Sequence, residues 1–181
     1  INNYNCFHNP IAKIGNKTYF MMDDLSEELQ GIDIQYIDKN MKIQRIHAKL
    51  RDPGAVRHTI DDYYPLAWWG DIIQMADNSL ITGVYPCVYL DEDGNVMRRS
   101  TSFYRSIDGG VSWDIIGKIP CKADGIVEKR GDNEFTEPSF VVLSDSTLMC
   151  VMRSGSNSPM YKSFSEDRGM NWTQPVPFTP N

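Results

Sequence analysis

The sequence is short of the features that mark specialised protein classes, and each shortage removes a class. Among its 181 residues no apolar run approaches the roughly 18 that span a bilayer as a helix. Positive charge is scarce. With 18 Lys and Arg against 24 Asp and Glu the net charge is −6, which suits a soluble globular body and leaves no overall footprint for nucleic acid or an anionic membrane. The four cysteines, Cys6, Cys87, Cys121 and Cys150, show no C-x-x-C spacing. Three of them sit in or beside apolar runs, so they read as buried thiols rather than as metal ligands or a disulfide framework. His8, His47 and His58 form no metal-ligand spacing, and Asp91-Glu92-Asp93-Gly94 does not match the Asp-x-Asp-x-Asp-Gly calcium loop, so it reads as a solvated turn. Neither a metal nor a cofactor is expected. The chain opens on Ile1 rather than Met and shows no leader-like segment, which leaves room for residues upstream and does not disclose the compartment.

What the chain has is short runs of β-forming residues split by turn residues. Asn9 to Ile14, a Gly15-Asn16 turn and Thr18 to Met22 read as a hairpin ending at Asp23-Asp24. Ile32 to Asp38 alternates with period two, Lys39-Asn40 turns, and Met41 to Leu50 alternates again. After a polar loop, Trp68-Trp69-Gly70-Asp71 opens a second hairpin, Ile72 to Met75 with Leu80 to Tyr85, turning at Ala76 to Ser79. Val88 to Leu90, Ser100 to Arg105 and Ile115 to Ile119 continue that unit. A third begins at Glu137-Pro138, with Phe140 to Leu143 and Leu148 to Met152 flanking the turn Ser144 to Thr147, and Met160 to Phe164 following. Units of four short strands at a pitch of about 60 residues point to an all-β fold, a β-propeller of four-stranded antiparallel blades at approximately 8–50, 66–120 and 135–178.

Two octets punctuate these units. Ser106-Ile107-Asp108-Gly109-Gly110-Val111-Ser112-Trp113 and Ser165-Glu166-Asp167-Arg168-Gly169-Met170-Asn171-Trp172 share the pattern Ser-x-Asp-x-Gly-x-(Ser/Asn)-Trp, 59 residues apart. The Asp carboxylate can accept backbone N–H bonds of its own turn, Gly can take a positive φ, and the Trp is expected to start the next strand with its ring in the core. The pattern resembles the Asp-box, or bacterial neuraminidase repeat, of the sialidase superfamily of propellers. In that family the box joins the outer strands of a blade, away from the active site, which implies a structural role for Ser106, Asp108, Gly110, Trp113, Ser165, Asp167, Gly169 and Trp172. The family builds six blades, so the three units here correspond to about half a ring, completed by the rest of a propeller or by a second chain.

Equivalent hairpin ends of a propeller gather at one mouth. Centring the turns places His8 and Asn9 near Asp23 and Asp24, Trp69, Gly70 and Asp71 near Tyr85, and Glu137 near Arg153 with Pro138 opposite Arg153. The segment from Glu137-Pro138 to Arg153 is similar to the sialidase segment that holds a glutamate and one of three carboxylate-binding arginines, and the sixteen-residue separation agrees. The resemblance implies that Glu137 is catalytic, raising the nucleophilicity of a tyrosine, and that Arg153 binds the substrate carboxylate through its bidentate fork. Trp69, Asp71 and Tyr85 are candidate substrate-binding residues. Candidate acid/base groups are Asp23, Asp24 and His58, with Asp71, Asp91 and Asp93 also conceivable.

Where the family carries its first arginine in an Arg-Ile-Pro motif, this chain has His8-Asn9-Pro10 and Trp68-Trp69-Gly70; the third arginine and the tyrosine belong to later family segments, past the equivalent of Asn181. The implied function is hydrolysis of a terminal acidic sugar, sialic acid, from a glycan. The partner is an acidic carbohydrate rather than nucleic acid or membrane, with a secreted or periplasmic setting by analogy. The alternatives are a polysaccharide lyase or another exo-glycosidase acting on acidic oligosaccharides, and a propeller that binds glycans without catalysis. A bland alternative for Glu137 and Arg153 is a cross-strand ion pair.

Overall fold

The computed structural model describes residues 11–14, 17–23, 31–51, 66–86, 89–90, 96–97, 100–120, 135–154 and 159–178, all strands and turns. Strands β1 (Ile11–Ile14), β2 (Lys17–Asp23), β3 (Gly31–Ile37) and β4 (Ile43–Arg51) pair antiparallel in chain order. A second unit follows with β5 (Leu66–Gln74) and β6 (Leu80–Pro86). The chain then leaves for a separate two-stranded hairpin, β7 (Tyr89–Leu90) and β8 (Val96–Met97), and returns as β9 (Ser102–Ser106) and β10 (Ser112–Lys118). The third unit is β11 (Thr136–Val142), β12 (Leu148–Arg153), β13 (Tyr161–Ser165) and β14 (Val176–Pro177). Tyr89-Leu90 is therefore not part of a blade strand: the long connection before the first octet folds into its own hairpin instead.

The units are arranged with their first strands together. Strand β5 packs against β1 and β2 on one side and against β11 on the other, so β1, β5 and β11 are innermost and β4, β10 and β14 outermost. At the rim β4 and β10 also pair in parallel over Lys49–Arg51 and Ser112–Asp114, joining the first two units into one eight-stranded sheet.

Two hairpins turn by the same device. In each, the first residue of a five-residue turn exchanges backbone bonds with the fourth and fifth: Met75 with Asn78 and Ser79, and Leu143 with Ser146 and Thr147. The central Asp, Asp77 or Asp145, accepts the amide two residues on, and Asn78 and Ser146 take positive φ of 65° and 70°. This tight turn puts Val142 opposite Leu148, so the third hairpin centres on Asp145 rather than between Asp145 and Ser146.

Alternation along the middle strands buries both faces of the second unit. Leu80, Val84, Tyr104 and Trp113 face a core that includes Ala48 and Leu50 of the first unit. Ile81 and Phe103 face a second core with Phe140, Leu148, Cys150, Met152, Tyr161 and Trp172 of the third. Each octet tryptophan thus seals one inter-unit core. Trp172 stacks on Phe103 with centroids 4.3 Å apart, and Phe140 meets the same ring edge-on at 5.2 Å. Cys150 is a buried free thiol, its pKa raised by desolvation; Cys6, Cys87 and Cys121 lie outside the described residues.

The two octets fold into the same turn, between β9 and β10 and between β13 and β14. The Asp108 carboxylate accepts the Ser106 hydroxyl (2.8 Å), the Ser112 amide (2.9 Å) and the Ser112 hydroxyl (2.6 Å). Asp167 repeats this with Ser165, the Asn171 amide and the Asn171 side-chain amide at 2.9, 2.8 and 2.6 Å. Gly110 and Gly169 sit at φ of 96° and 91°, and their carbonyls accept the indole N–H of Trp113 and Trp172. The expectation that each Trp starts a strand holds for Trp113 but not for Trp172, which lies four residues before β14. There the Thr173 hydroxyl takes the Phe164 amide at 3.0 Å in place of a backbone carbonyl, and Pro175 has no N–H to continue the ladder.

Candidate functional site

The innermost strands of the second and third units are both bulged. In β5, Trp68 pairs with Val84 and Ile72 with Thr82, so Trp69, Gly70 and Asp71 stand opposite Gly83 alone. In β11, Thr136 pairs with Arg153 and Ser139 with Val151, so Glu137 and Pro138 stand opposite Met152. Both expected registers are corrected by these bulges. Thr136, not Pro138, is opposite Arg153, and Ala67, not the Trp69–Asp71 segment, is opposite Tyr85. A glycine or a proline inside a strand is the sequence signal for such a bulge, and Gly70 and Pro138 were that signal.

The two bulges lie against each other. The Ser139 hydroxyl donates to Asp71 Oδ2 at 3.3 Å, and the third unit's proline seats close over Gly83, where a Cβ would lie 3.1 Å from Pro138 Cγ and push it by a few tenths of an ångström. Ser139 is a neighbour of the site that sequence reasoning missed; no motif marks it.

The bulge re-aims Glu137. Its φ is 52°, and it precedes Pro138. The other non-glycine residues with positive φ among the described residues, Met41, Asn78, Ser146 and Arg168, are all in turns; Glu137 is inside a strand. A residue before proline is normally confined to extended backbone, so this conformation is doubly disfavoured. In it, Glu137 Oε1 accepts Arg153 Nη1 at 2.7 Å, with the arginine side chain 44% exposed and the glutamate 26%. The arrangement presents a carboxylate and a guanidinium together at the bulged end of an inner strand, open to solvent.

Of the other candidate residues, Asp71 is exposed in the β5 bulge and Tyr85 is half-buried on β6. Trp69 lies in the same bulge as Asp71, and Asp23 ends β2 opposite Ile32. Asp24, His58, His8, Asp91 and Asp93 lie outside the described residues. Among the described residues, no group of three or more His, Cys, Asp and Glu is placed to hold a metal ion.

Similarity to solved structures fixes the architecture. The chain superposes on an α-L-arabinofuranosidase from Fusarium graminearum with a TM-score of 0.62 at 11% identity, covering 98% of this chain and 50% of that one. This chain folds as part of a β-propeller. A Hadza microbial sialidase matches with a TM-score of 0.55 at 16% identity over 87% of this chain and 30% of that one. An ulvan lyase, a polysaccharide lyase bound to -[GlcA(1-4)Rha3S]-, matches at 0.56 and 13% over 94% and 37%. The chain therefore spans half or less of each of these three. No family model matches it, and no curated protein matches it in sequence.

Proposed function

We propose that this chain, with blades at about 8–50, 66–120 and 135–178, is part of a carbohydrate-active propeller working on a glycan that ends in an acidic sugar, most simply an exo-sialidase. The observation that carries the reading is the backbone of Glu137, held at φ 52° beside Arg153. An exposed ion pair is worth about 0–1 kcal/mol, whereas a non-glycine residue in that region costs on the order of 1–3 kcal/mol. The pair alone does not recover the cost of its geometry. Strain of this kind clusters at sites where a side chain must be aimed, and a carboxylate aimed beside an arginine matches the sialidase arrangement in kind and spacing. The solved propellers of like fold, among them a sialidase, an arabinofuranosidase and a polysaccharide lyase, support carbohydrate as the substrate class.

In this mechanism Arg153 takes the substrate carboxylate by charge-assisted hydrogen bonds. Glu137 draws the proton of a tyrosine from outside residues 1–181, raising its nucleophilicity toward the anomeric carbon. The bond to the leaving oxygen breaks as an acid supplies its proton, and water releases the sugar from the tyrosine in the second step. In this reading Asp71, Trp69 and Tyr85, all of the neighbouring hairpin, contact the sugar. The two octets act as Asp-boxes, holding blades rather than substrate.

The test uses the full-length protein on a fluorogenic sialoside and on a panel of uronic-acid oligosaccharides. Arg153→Lys keeps the charge but loses the fork, and should lower sialoside turnover at least about tenfold. Glu137→Gln should lower kcat more than it raises KM. Cleavage of the uronic-acid panel alone would move the reading to a lyase or another glycosidase, and glycan binding without turnover would move it to a binding propeller. Variants that behave as the parent would leave only a cross-strand salt bridge.

A further inference from the structure

Ser139 stands between two anchored residues. On one side Pro138, buried and with its φ fixed by its ring, seats over Gly83 of β6. On the other, Phe140 is buried in the core of the second and third units, edge-on to Phe103. The backbone that carries the Ser139 hydroxyl is thus held against the second unit from both sides, although Ser139 itself is exposed. Its acceptor is held less firmly. Asp71 is exposed in the β5 bulge, directly after Gly70, and glycine restrains a backbone least of all residues. Among the described residues the only donor to the Asp71 carboxylate is the Ser139 hydroxyl, 3.3 Å from Oδ2, and Oδ1 accepts from none. A fixed donor therefore orients a carboxylate that is otherwise loose.

We infer that Ser139 is a positioning residue: it aims the Asp71 carboxylate across the seam of the two units, so that Oδ1 takes a hydroxyl of the sugar held at Glu137 and Arg153. This role rests on the carbohydrate reading above and adds to it what fixes the second contact. Ser139 lies two residues along β11 from Glu137, so its bond brings the Asp71 carboxylate to the bulge that carries the charged pair. An ionised carboxylate only accepts, so the complementary group on the ligand is a donor, which a sugar supplies as a hydroxyl. The ligand carboxylate goes to Arg153 instead. An Asp71 free to turn would bring like charge toward that carboxylate, and the bond to Ser139 restrains it. The second and third units thus act on one sugar together, through a contact that neither unit orients alone.

The experiment is a double-mutant cycle on the full-length protein, read by calorimetric titration with sialic acid and with galacturonic acid. For whichever the parent binds more tightly, Ser139→Ala should weaken binding at least about threefold, because Asp71 is no longer preorganised. Ser139→Thr, which keeps the hydroxyl, should bind as the parent does. Melting temperatures should be unchanged, since both partners of the bond are exposed. Asp71→Ala should weaken binding as well, and in that background Ser139→Ala should cost nothing further. Equal weakening by Ser139→Ala in both backgrounds would overturn the inference, because Ser139 would then act without Asp71. So would parent-like binding by Ser139→Ala, an outcome that leaves the carbohydrate reading standing. A parent that binds neither acid removes that reading and the role of Ser139 with it.

Discussion

At the scale of single residues, the octet aspartates show how one carboxylate organises a turn without a helix or a metal. Burial pushes the Asp108 carboxyl up, but hydrogen bonds from the Ser112 hydroxyl and amide, the Ser106 hydroxyl and the Val111 amide outweigh it and hold it at about 2. Asp167 is lowered as well, first by the Asn171 amide. A carboxylate with a depressed folded-state pKa contributes stability above its unfolded value and loses it as the group protonates. For Asp108 that loss falls between pH 3.8 and about 2. Asp108→Ala strands the buried Ser112 and should cost on the order of 1–2 kcal/mol at neutral pH, with the deficit relative to the parent shrinking as pH falls through that window. Thermal denaturation of both proteins from pH 7 to pH 2.5 checks it, with turnover of the full-length protein nearly unchanged. A large fall in turnover with unaltered melting would mean that the octet belongs to the site. Both octets were legible in the sequence because their chemistry is local: every acceptor and donor lies within the eight residues.

At the scale of elements, the second and third units are held by close backbone approach as much as by side chains. Gly117 of β10 faces the second octet so closely that a Cβ there would lie 2.2 Å from the Gly169 carbonyl oxygen and 2.4 Å from that of Met170. The same octet sends Arg168 to Asp77 at 3.3 Å, where Arg105 also binds at 2.5 Å. Gly117→Ala forces backbone against backbone and should destabilise by about 1–3 kcal/mol or more, seen as a melting point lower by several degrees. An unchanged melting point would show that the two units can separate without cost. Such approaches are not visible in sequence, since nothing near Gly117 names its partner 52 residues away. Strand identity and hairpin pairing were legible from alternation and from the Asp turns. Register was not: Asn78 and Ser146 take the left-handed turn position without being glycine, and the Gly70 and Pro138 bulges shift the ladder after it starts. The site was therefore half legible. The Glu137–Arg153 meeting followed from turn length, but the strained backbone that gives it meaning, and Ser139 beside Asp71, came only from the packing of one bulge on another.

At the scale of the whole molecule, the second unit buries both its faces against its neighbours, and the third unit's far face has no such cover among the described residues. On β6 of the second unit, Ile81 is buried under the third unit, with Ile73 packed against it. The matching hairpin positions of the third unit are Met149 and Val141, and Val141 is 45% exposed; Met160 and Phe178 of the same unit are exposed at 46% and 42%. Residues 1–181 alone are therefore expected to associate or to require the remainder of a ring, and sedimentation of this fragment checks it; a compact, monodisperse 20.7 kDa monomer would contradict the expectation. The central claim concerns the charged pair that such a ring would enclose. It is tested most directly by calorimetric titration of the full-length protein with sialic acid and with its uncharged methyl ester. The account predicts that the acid binds at least about tenfold more tightly, about 1.4 kcal/mol, and that Arg153→Gln, which removes the charge, removes most of that preference while the fold stays intact. Equal binding of acid and ester by the parent, or a preference that survives Arg153→Gln, would contradict it.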